Sequence, residues 1–164
     1  MKKIFCVIFA LSMVLSLAAC NQQETTGTTG NAAPTELNMT EMYTTITNGI
    51  EMPEMMSLDA SMLLDLYGIR EEYCKQAVVY LCVNSLRADE IWLLEATDAA
   101  SLETLKQLMN SRLNQKDAES ANYDMEQNAI IKAAQVIEVG NYLVMIVSPD
   151  AAAMATAFRT AAGI

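Results

Sequence analysis

Residues 134–147 read AQVIEVGNYLVMIV, and this stretch decides the fold class. It contains two strand-like runs, 134–139 and 142–147, which are separated by Gly140 and Asn141. Because glycine and asparagine accept positive φ, this pair is typical of a two-residue turn between antiparallel strands. The stretch therefore predicts a β-hairpin.

The residues after the hairpin are typical of a helix start. Ser148 can cap a helix, Pro149 is tolerated in a first turn, and Asp150 places an acid near the helix N-terminus. Residues Ala151–Ala162 are mostly alanine and other strong helix formers. Residues 134–162 thus predict a strand–strand–helix unit.

The same order of elements is expected earlier in the chain. Lys75–Leu86 is rich in β-branched and bulky residues and predicts a strand, and Glu90–Thr97 predicts a second one after a turn at Arg87–Ala88. From Ala99 the apolar spacing becomes helical. The helical stripe comprises Leu102, Leu105, Met109 and Leu113. We expect Asp117–Lys132 to hold the end of this helix, a loop and one further short helix.

Two short helices are expected before these units. They cover Met39–Ile50 and Asp59–Tyr67; Pro53 separates them, and Gly68 is placed to end the second. We therefore expect one α+β domain over residues 39–164. Its two N-terminal helices would precede two strand–strand–helix units, which form a four-stranded antiparallel sheet with helices on one face.

Residues 1–19 have the pattern of a secretory signal peptide. Lys2 and Lys3 precede an apolar run, Ile4–Leu17, which is shorter than the about 20 residues that a membrane-spanning helix needs. Small residues then lead to Cys20. The pattern predicts export followed by removal of this segment.

The tetrapeptide Leu17-Ala18-Ala19-Cys20 resembles the lipobox of bacterial lipoproteins. The resemblance implies diacylglyceryl transfer to the Cys20 sulfur and cleavage before Cys20. Each buried CH₂ of an acyl chain contributes about 0.8 kcal/mol, so a doubly acylated anchor is effectively permanent. We expect lipid attachment at Cys20, a palmitate-type modification, and a location on the extracytoplasmic face of the cell membrane.

Residues 20–38 are expected to form the lipidated cysteine and a flexible tether. The stretch after Cys20 is rich in Thr, Gly and Gln and has almost no large apolar side chains. It cannot bury enough surface to fold. The tether would hold the domain just off the bilayer.

Composition excludes several classes of function. The chain has 20 acidic and 10 basic side chains and a formal net charge of -10, whereas binding to phosphate backbones needs clustered Lys and Arg. We therefore expect no nucleic-acid partner. With no histidine, Ser–His and Cys–His nucleophile pairs and histidine metal sites are excluded. We expect no cofactor.

Cys74 and Cys82 are the two thiols of the expected domain. If one strand joins them, their Cα atoms lie about 26 Å apart, whereas a disulfide needs roughly 4.4–6.8 Å. A bond would require the chain to turn back near Lys75, in an exported setting that permits disulfides. The alternative is two small buried apolar residues.

Methionines and acids offer two kinds of metal site. The methionines are Met52, Met55 and Met56, with Met39, Met42 and Met62 nearby. Thioethers bind Cu(I), but methionines also line the apolar faces of helices. The densest acidic cluster comprises Asp117, Glu119, Asp124 and Glu126. Its spacing does not fit a twelve-residue calcium loop, and the alternative is a solvated charged segment.

Asp89 and Glu90 are a pair of neighbouring carboxylates such as a glycoside-cleaving enzyme uses. Arg87 beside them is expected to be a turn residue. A hydrolase of this kind would need a concave pocket that holds two acids with raised pKa values.

Several motifs occur in one order: the lipobox, MPEMM at residues 52–56, LDASMLLDLYGI at 58–69, ADEI at 88–91 and GNY at 140–142. This order resembles the bacterial lipoprotein family known as domain of unknown function 4358, over roughly residues 40 to 160. The resemblance implies a Gram-positive exported lipoprotein. It implies no activity and no functional residue.

The expected function is that of a lipid-anchored extracytoplasmic binding or interaction module without catalysis. Its partners would be the membrane, through Cys20, and an envelope protein or a small ligand. The alternatives are a cell-envelope hydrolase that uses carboxylates and a metal-handling lipoprotein that uses methionines or acids.

Overall fold

The computed structural model describes residues 36–164, which form a mixed α/β domain around one antiparallel sheet. The strands are β1 (Met55–Ser57), β2 (Cys74–Cys82), β3 (Glu90–Ala96), β4 (Gln135–Val139) and β5 (Tyr142–Val147). The helices are α1 (Met39–Thr47), α2 (Ala60–Tyr67), α3 (Ala99–Ser120), α4 (Met125–Lys132) and α5 (Ala151–Ala162). A 3-10 turn covers Glu71–Tyr73. The strand order is β1-β2-β3-β5-β4.

The C-terminal unit has the element order that its sequence predicts, with β4 beginning one residue later than expected, at Gln135. Strand β5 and helix α5 start and end as expected, and Gly140 has a φ of 56° in the turn between β4 and β5. The hairpin register pairs Val139 with Tyr142. Local signals suffice here because the turn residues and the helix-forming residues of α5 agree, although the N-cap is Asp150 rather than Ser148 and makes no side-chain capping bond.

The sheet has five strands, so the predicted four-stranded sheet is wrong in its count. The additional strand, β1, lies within the MPEMM motif and pairs Met55 with Cys82 and Ser57 with Tyr80. A strand of three residues has almost no periodicity of its own. It exists because β2 supplies a partner edge far along the chain.

The two N-terminal helices are present with different bounds. Helix α1 ends at Thr47 rather than at Ile50, and Gly49 follows with a φ of 78°. Helix α2 begins after Asp59, whose carboxylate accepts a hydrogen bond from Met62 N at 2.9 Å. Gly68 ends α2 with a φ of 73°, as predicted.

Helices cover both faces of the sheet, so the prediction of helices on one face is wrong. Ile91 and Leu93 of β3 pack under α1 and α5. Trp92 and Leu94 of the same strand pack with residues of α2, α3 and α4. Side chains alternate along a strand, and every residue of β3 is buried, so each face needs its own cover.

The polypeptide enters this domain beside the middle of the sheet. Leu37 is buried, and its backbone N–H donates to the Tyr142 hydroxyl at 3.0 Å. The Gln76 amide accepts from Met39 N at 2.9 Å and donates to Leu37 O at 2.8 Å.

The expected signal peptide 1–19, the lipid attachment at Cys20 and most of the tether 20–38 lie outside the described residues. Within residues 36–164, none of the helices has both the length and the apolar character for crossing a bilayer.

Candidate functional site

A buried ion cluster lies between β3 and α3. The Glu90 side chain is fully buried and receives hydrogen bonds from Arg112 Nε at 3.1 Å to each oxygen and from Arg112 Nη2 at 2.8 Å. Lys116 Nζ lies 2.9 Å from the same carboxylate. Trp92 Nε1 donates to it at 2.8 Å. One buried acid therefore faces two cations.

The cations keep Glu90 ionised. Burial raises the pKa of Glu90, but hydrogen bonds and charges from Arg112 and Lys116 together outweigh burial and hold this pKa below its usual value. A general acid needs the opposite shift, towards the working pH. Glu90 thus lacks the property that the carboxylate-hydrolase hypothesis requires.

Tyr67 of α2 closes the cluster on one side. Its ring centroid lies 5.1 Å from Arg112 Cζ, within the range of a cation–π contact, and 4.8 Å from the Trp92 ring. Burial and the Glu90 charge raise the pKa of Tyr67. The buried Tyr67 hydroxyl has no hydrogen-bond partner among residues 36–164. The cluster therefore ties α2, α3 and β3 together.

Sequence reasoning singled out Glu90 but missed its partners. Arg112 and Lys116 lie one turn apart on α3, which places both on one face. The signal was a pair of cations four residues apart together with a lone acid in an apolar strand. Asp89, the other predicted carboxylate, is buried and accepts from Arg87 Nε at 2.9 Å. The neighbouring carboxylates thus have separate cation partners.

The structure divides the predicted methionines between the two faces of the sheet. Met39 and Met42 belong to α1 and are buried on the α5 side of the sheet, where Met52 packs against the same core cluster. Met55 and Met56 follow each other in β1 and so point to opposite faces. Met62 lies on α2, in the layer that covers the other face.

The predicted acidic cluster is used for local structure. Asp117 accepts from Asn128 Nδ2 at 2.6 Å, and Asp124 caps α4 through bonds to Glu126 N and Gln127 N at 3.1 and 3.0 Å. Glu119 accepts from the Gln115 amide at 2.8 Å. In the part of the chain that the structure describes, no three acidic or cysteine side chains converge as metal ligands.

The two described cysteines are free thiols at opposite ends of β2. Cys82 is buried and Cys74 is half-buried. Burial raises the pKa of the Cys74 thiol to about 11, which keeps it protonated and unreactive near neutral pH. Their placement agrees with the prediction of small apolar residues.

A groove opens between α2, the 3-10 turn and β2. It has a volume of about 360 Å³. Its apolar lining comes from Leu58, Leu63, Ile69 and Ala77, and its polar lining from Asp59, Arg70, Glu71 and Cys74. A shallower extension runs over Leu64, Ser61 and Glu72. We call the two together the α2 groove.

The α2 groove lies beside an unpaired stretch of sheet edge. Strand β1 ends at Ser57 opposite Tyr80, and the last bond to β2 on this side runs from Leu58 N to Val79 O at 2.9 Å. The chain then turns into α2 at Ala60. Ala77, two residues before Val79, therefore faces the groove on the side away from β3, and on that side no strand of residues 36–164 pairs with it.

The family model described as Domain of unknown function (DUF4358) matches residues 48–148, more than half of the chain. The match confirms the family resemblance predicted from the sequence. No curated protein and no solved structure matches the chain.

Proposed function

The chain belongs to the family described as Domain of unknown function (DUF4358), and from this premise we propose that it is a lipid-anchored extracytoplasmic binding module without catalysis. Cys20 would carry the lipid, residues 20–38 would form the tether, and the α2 groove would receive the ligand. The cell membrane is thus one partner, and an envelope protein or small ligand is the other.

The observation that carries the binding role is the α2 groove itself. Its floor is apolar, and its rim holds a few charged groups, Asp59, Arg70 and Glu71. Ligand sites commonly have this composition, because apolar area supplies affinity and a few polar groups fix orientation. The groove lies away from Glu90, whose charge is already matched by Arg112 and Lys116.

An exposed apolar side chain extends the groove outwards. Leu64 on its rim is 49 % exposed. An apolar side chain that stays in water contributes no hydrophobic stabilisation to the fold. The exposure of Leu64 therefore supports a role of α2 in contacting another molecule.

Lipid attachment is tested by labelling cells with radioactive palmitate. We expect the wild-type chain to incorporate label and to sediment with membranes, and Cys20→Ala to lose both properties. Cys6→Ala, within the expected signal peptide, is the matched control and should keep them. Label that persists in Cys20→Ala would overturn the anchor.

Ligand binding at the groove is tested by site-specific photo-crosslinking in cells. A photoreactive amino acid replaces Leu64 on the groove rim or, as the control, Val136 on β4. The two positions are 49 % and 46 % exposed, so chance encounters should label them equally. We expect a discrete adduct from position 64 only. Equal adducts, or none from either position, would contradict a binding role of the groove.

A further inference from the structure

The backbone N–H and C=O of Ala77 point away from β3, at the edge of the sheet that borders the α2 groove. In an antiparallel pair of strands, every second pair of opposite residues is joined by backbone hydrogen bonds. Cys82 N donates to Asp89 O at 3.0 Å, so Cys82 with Asp89 is one such pair between β2 and β3. Counting along the register in steps of two, Val78 with Leu93 is another. Ala77 lies between two such positions, so its N–H and C=O face away from β3. The outward direction is the one that Val79 uses to accept from Leu58 N.

No side chain within the described range supplies a bond to this N–H or C=O, and Ala77 is exposed. A β1 strand that ran three residues further would have placed Ala60 opposite Ala77 and bonded to these groups, but Ala60 is already helical. The edge thus offers one backbone donor and one backbone acceptor at the spacing of an antiparallel strand. An extended polypeptide presents the matching groups, whereas a lipid tail does not.

The groove next to this edge has an apolar socket. Leu58, Leu63 and Ile69 line it, and they continue the core on the α2 and α3 side of the sheet. A strand laid along Ala77 would point every second side chain to this face. An aliphatic side chain of the added strand would therefore enter the socket.

The charges at the groove favour a basic neighbour. Arg70 lies 3.4 Å from Glu72, so its charge is already matched. Glu71 lines the groove and has no cation within salt-bridge distance among residues 36–164. An incoming lysine or arginine would face this unmatched carboxylate, within a chain of net charge -10.

We propose that the α2 groove binds an extended polypeptide segment of a partner protein, which pairs with the backbone of Ala77, inserts an aliphatic side chain beside Leu58 and Ile69, and places a basic side chain against Glu71. This proposal rests on the binding role proposed above and specifies its ligand class. It is a case of strand addition at an open sheet edge.

The probe is a fluorescent heptapeptide with threonine at odd positions and valine, lysine and valine at positions 2, 4 and 6. Its binding to the full-length chain in detergent micelles is measured by fluorescence anisotropy. We expect saturable binding that weakens about fivefold when lysine becomes glutamate, and about fivefold when backbone N-methylation removes the pairing N–H groups. N-methylation alters the probe and leaves the protein unchanged.

Two variants of the protein locate the site. Glu71→Gln should weaken binding of the lysine peptide and leave binding of the glutamate peptide unchanged or stronger. Glu126→Gln removes the same charge from an exposed position on α4 and should have no effect. Equal affinity for all three peptides, no binding of any of them, or an equal effect of both variants would overturn the proposal.

The in-cell crosslink separates this proposal from the binding role itself. If position 64 gives its adduct but the peptides do not bind, the groove has a ligand of another class. If both experiments fail, both proposals fall. An adduct of twice the mass of the chain would show that a second copy occupies the groove, which also overturns the proposal.

Discussion

Replacement of Arg112 by methionine tests whether the buried ion cluster stabilises the domain. Arg112 donates to Glu90 at 3.1, 3.1 and 2.8 Å, and the Glu90 side chain is fully buried. Removing one partner of a buried ion pair costs about 3–5 kcal/mol, because the remaining charge is left without compensation. Since Lys116 remains 2.9 Å from the carboxylate, we expect the lower end, about 3 kcal/mol.

Urea unfolding followed by tryptophan fluorescence measures this loss. Trp92 is the single tryptophan of the chain and bonds directly to Glu90, so its emission reports on the cluster. The control is Arg159→Met at an exposed position of α5, where we expect a change below about 0.5 kcal/mol. The comparison separates loss of the ion pair from loss of an arginine on a helix.

A loss below about 1 kcal/mol in Arg112→Met, with unchanged tryptophan emission, would refute the reasoning, because it would mean that water compensates Glu90. The triple variant Glu90→Leu, Arg112→Met and Lys116→Met provides a second check. Replacing a whole buried ion cluster with apolar residues is often neutral or stabilising. We therefore expect the triple variant to be more stable than Arg112→Met alone.

Three further predictions concern pH, backbone conformation and thiols. The pKa of folded Glu90 lies below the usual 4.5, so the contribution of Glu90 to stability is complete above pH 4.5 and is lost as pH falls through the folded pKa. In urea unfolding, the stability advantage of the wild type over Glu90→Gln should therefore shrink in that acidic range. A difference that stays constant with pH would contradict this prediction. Gly68→Ala should lower the free energy of unfolding by about 1 kcal/mol, because a φ of 73° strains the backbone of an alanine. The nearest atom, Leu108 Cδ2 at 3.7 Å, leaves room for the added Cβ, so the cost is one of backbone conformation. Gly68→Asn should cost less, and equal losses in the two variants would oppose this explanation. Cys82 is buried, and burial raises the pKa of Cys74 to about 11. Neither thiol should therefore react promptly with Ellman's reagent at pH 8 until urea unfolds the domain. Prompt reaction of the native chain would disprove their burial.

Local signals made much of the fold predictable. The turn at Gly140–Asn141, the end of α2 at Gly68 and the alanine-rich α5 each depend on a few neighbouring residues, and the structure confirms them. The family resemblance was also predictable, since it depends on the order of motifs. Contacts between residues that are far apart in the sequence could not be predicted in this way. Strand β1 needs the edge of β2, whose Cys82 pairs with Met55 from 27 residues further along the chain.

The sequence indicated only indirectly that helices cover both faces of the sheet. The apolar residues Ile91 to Leu94 show that both faces of β3 are buried, but they do not say which helix lies on which face. The ion cluster and the α2 groove share this difficulty. Glu90 meets Arg112 only through packing of α3 on the sheet, and the groove forms where Leu58 and Ile69 approach Ala77.

The amide of Gln76 has a mechanical consequence. It bonds to both Leu37 and Met39, while Leu37 also bonds to the hydroxyl of Tyr142. A pulling force applied to the polypeptide from its N-terminal side would reach the domain first at these contacts, which lie at Leu37 and at the first residue of α1, Met39. The force would be shared between β2 and β5, and the first bonds to break would be these three hydrogen bonds. The strands at the edges of the sheet would not be the first to separate.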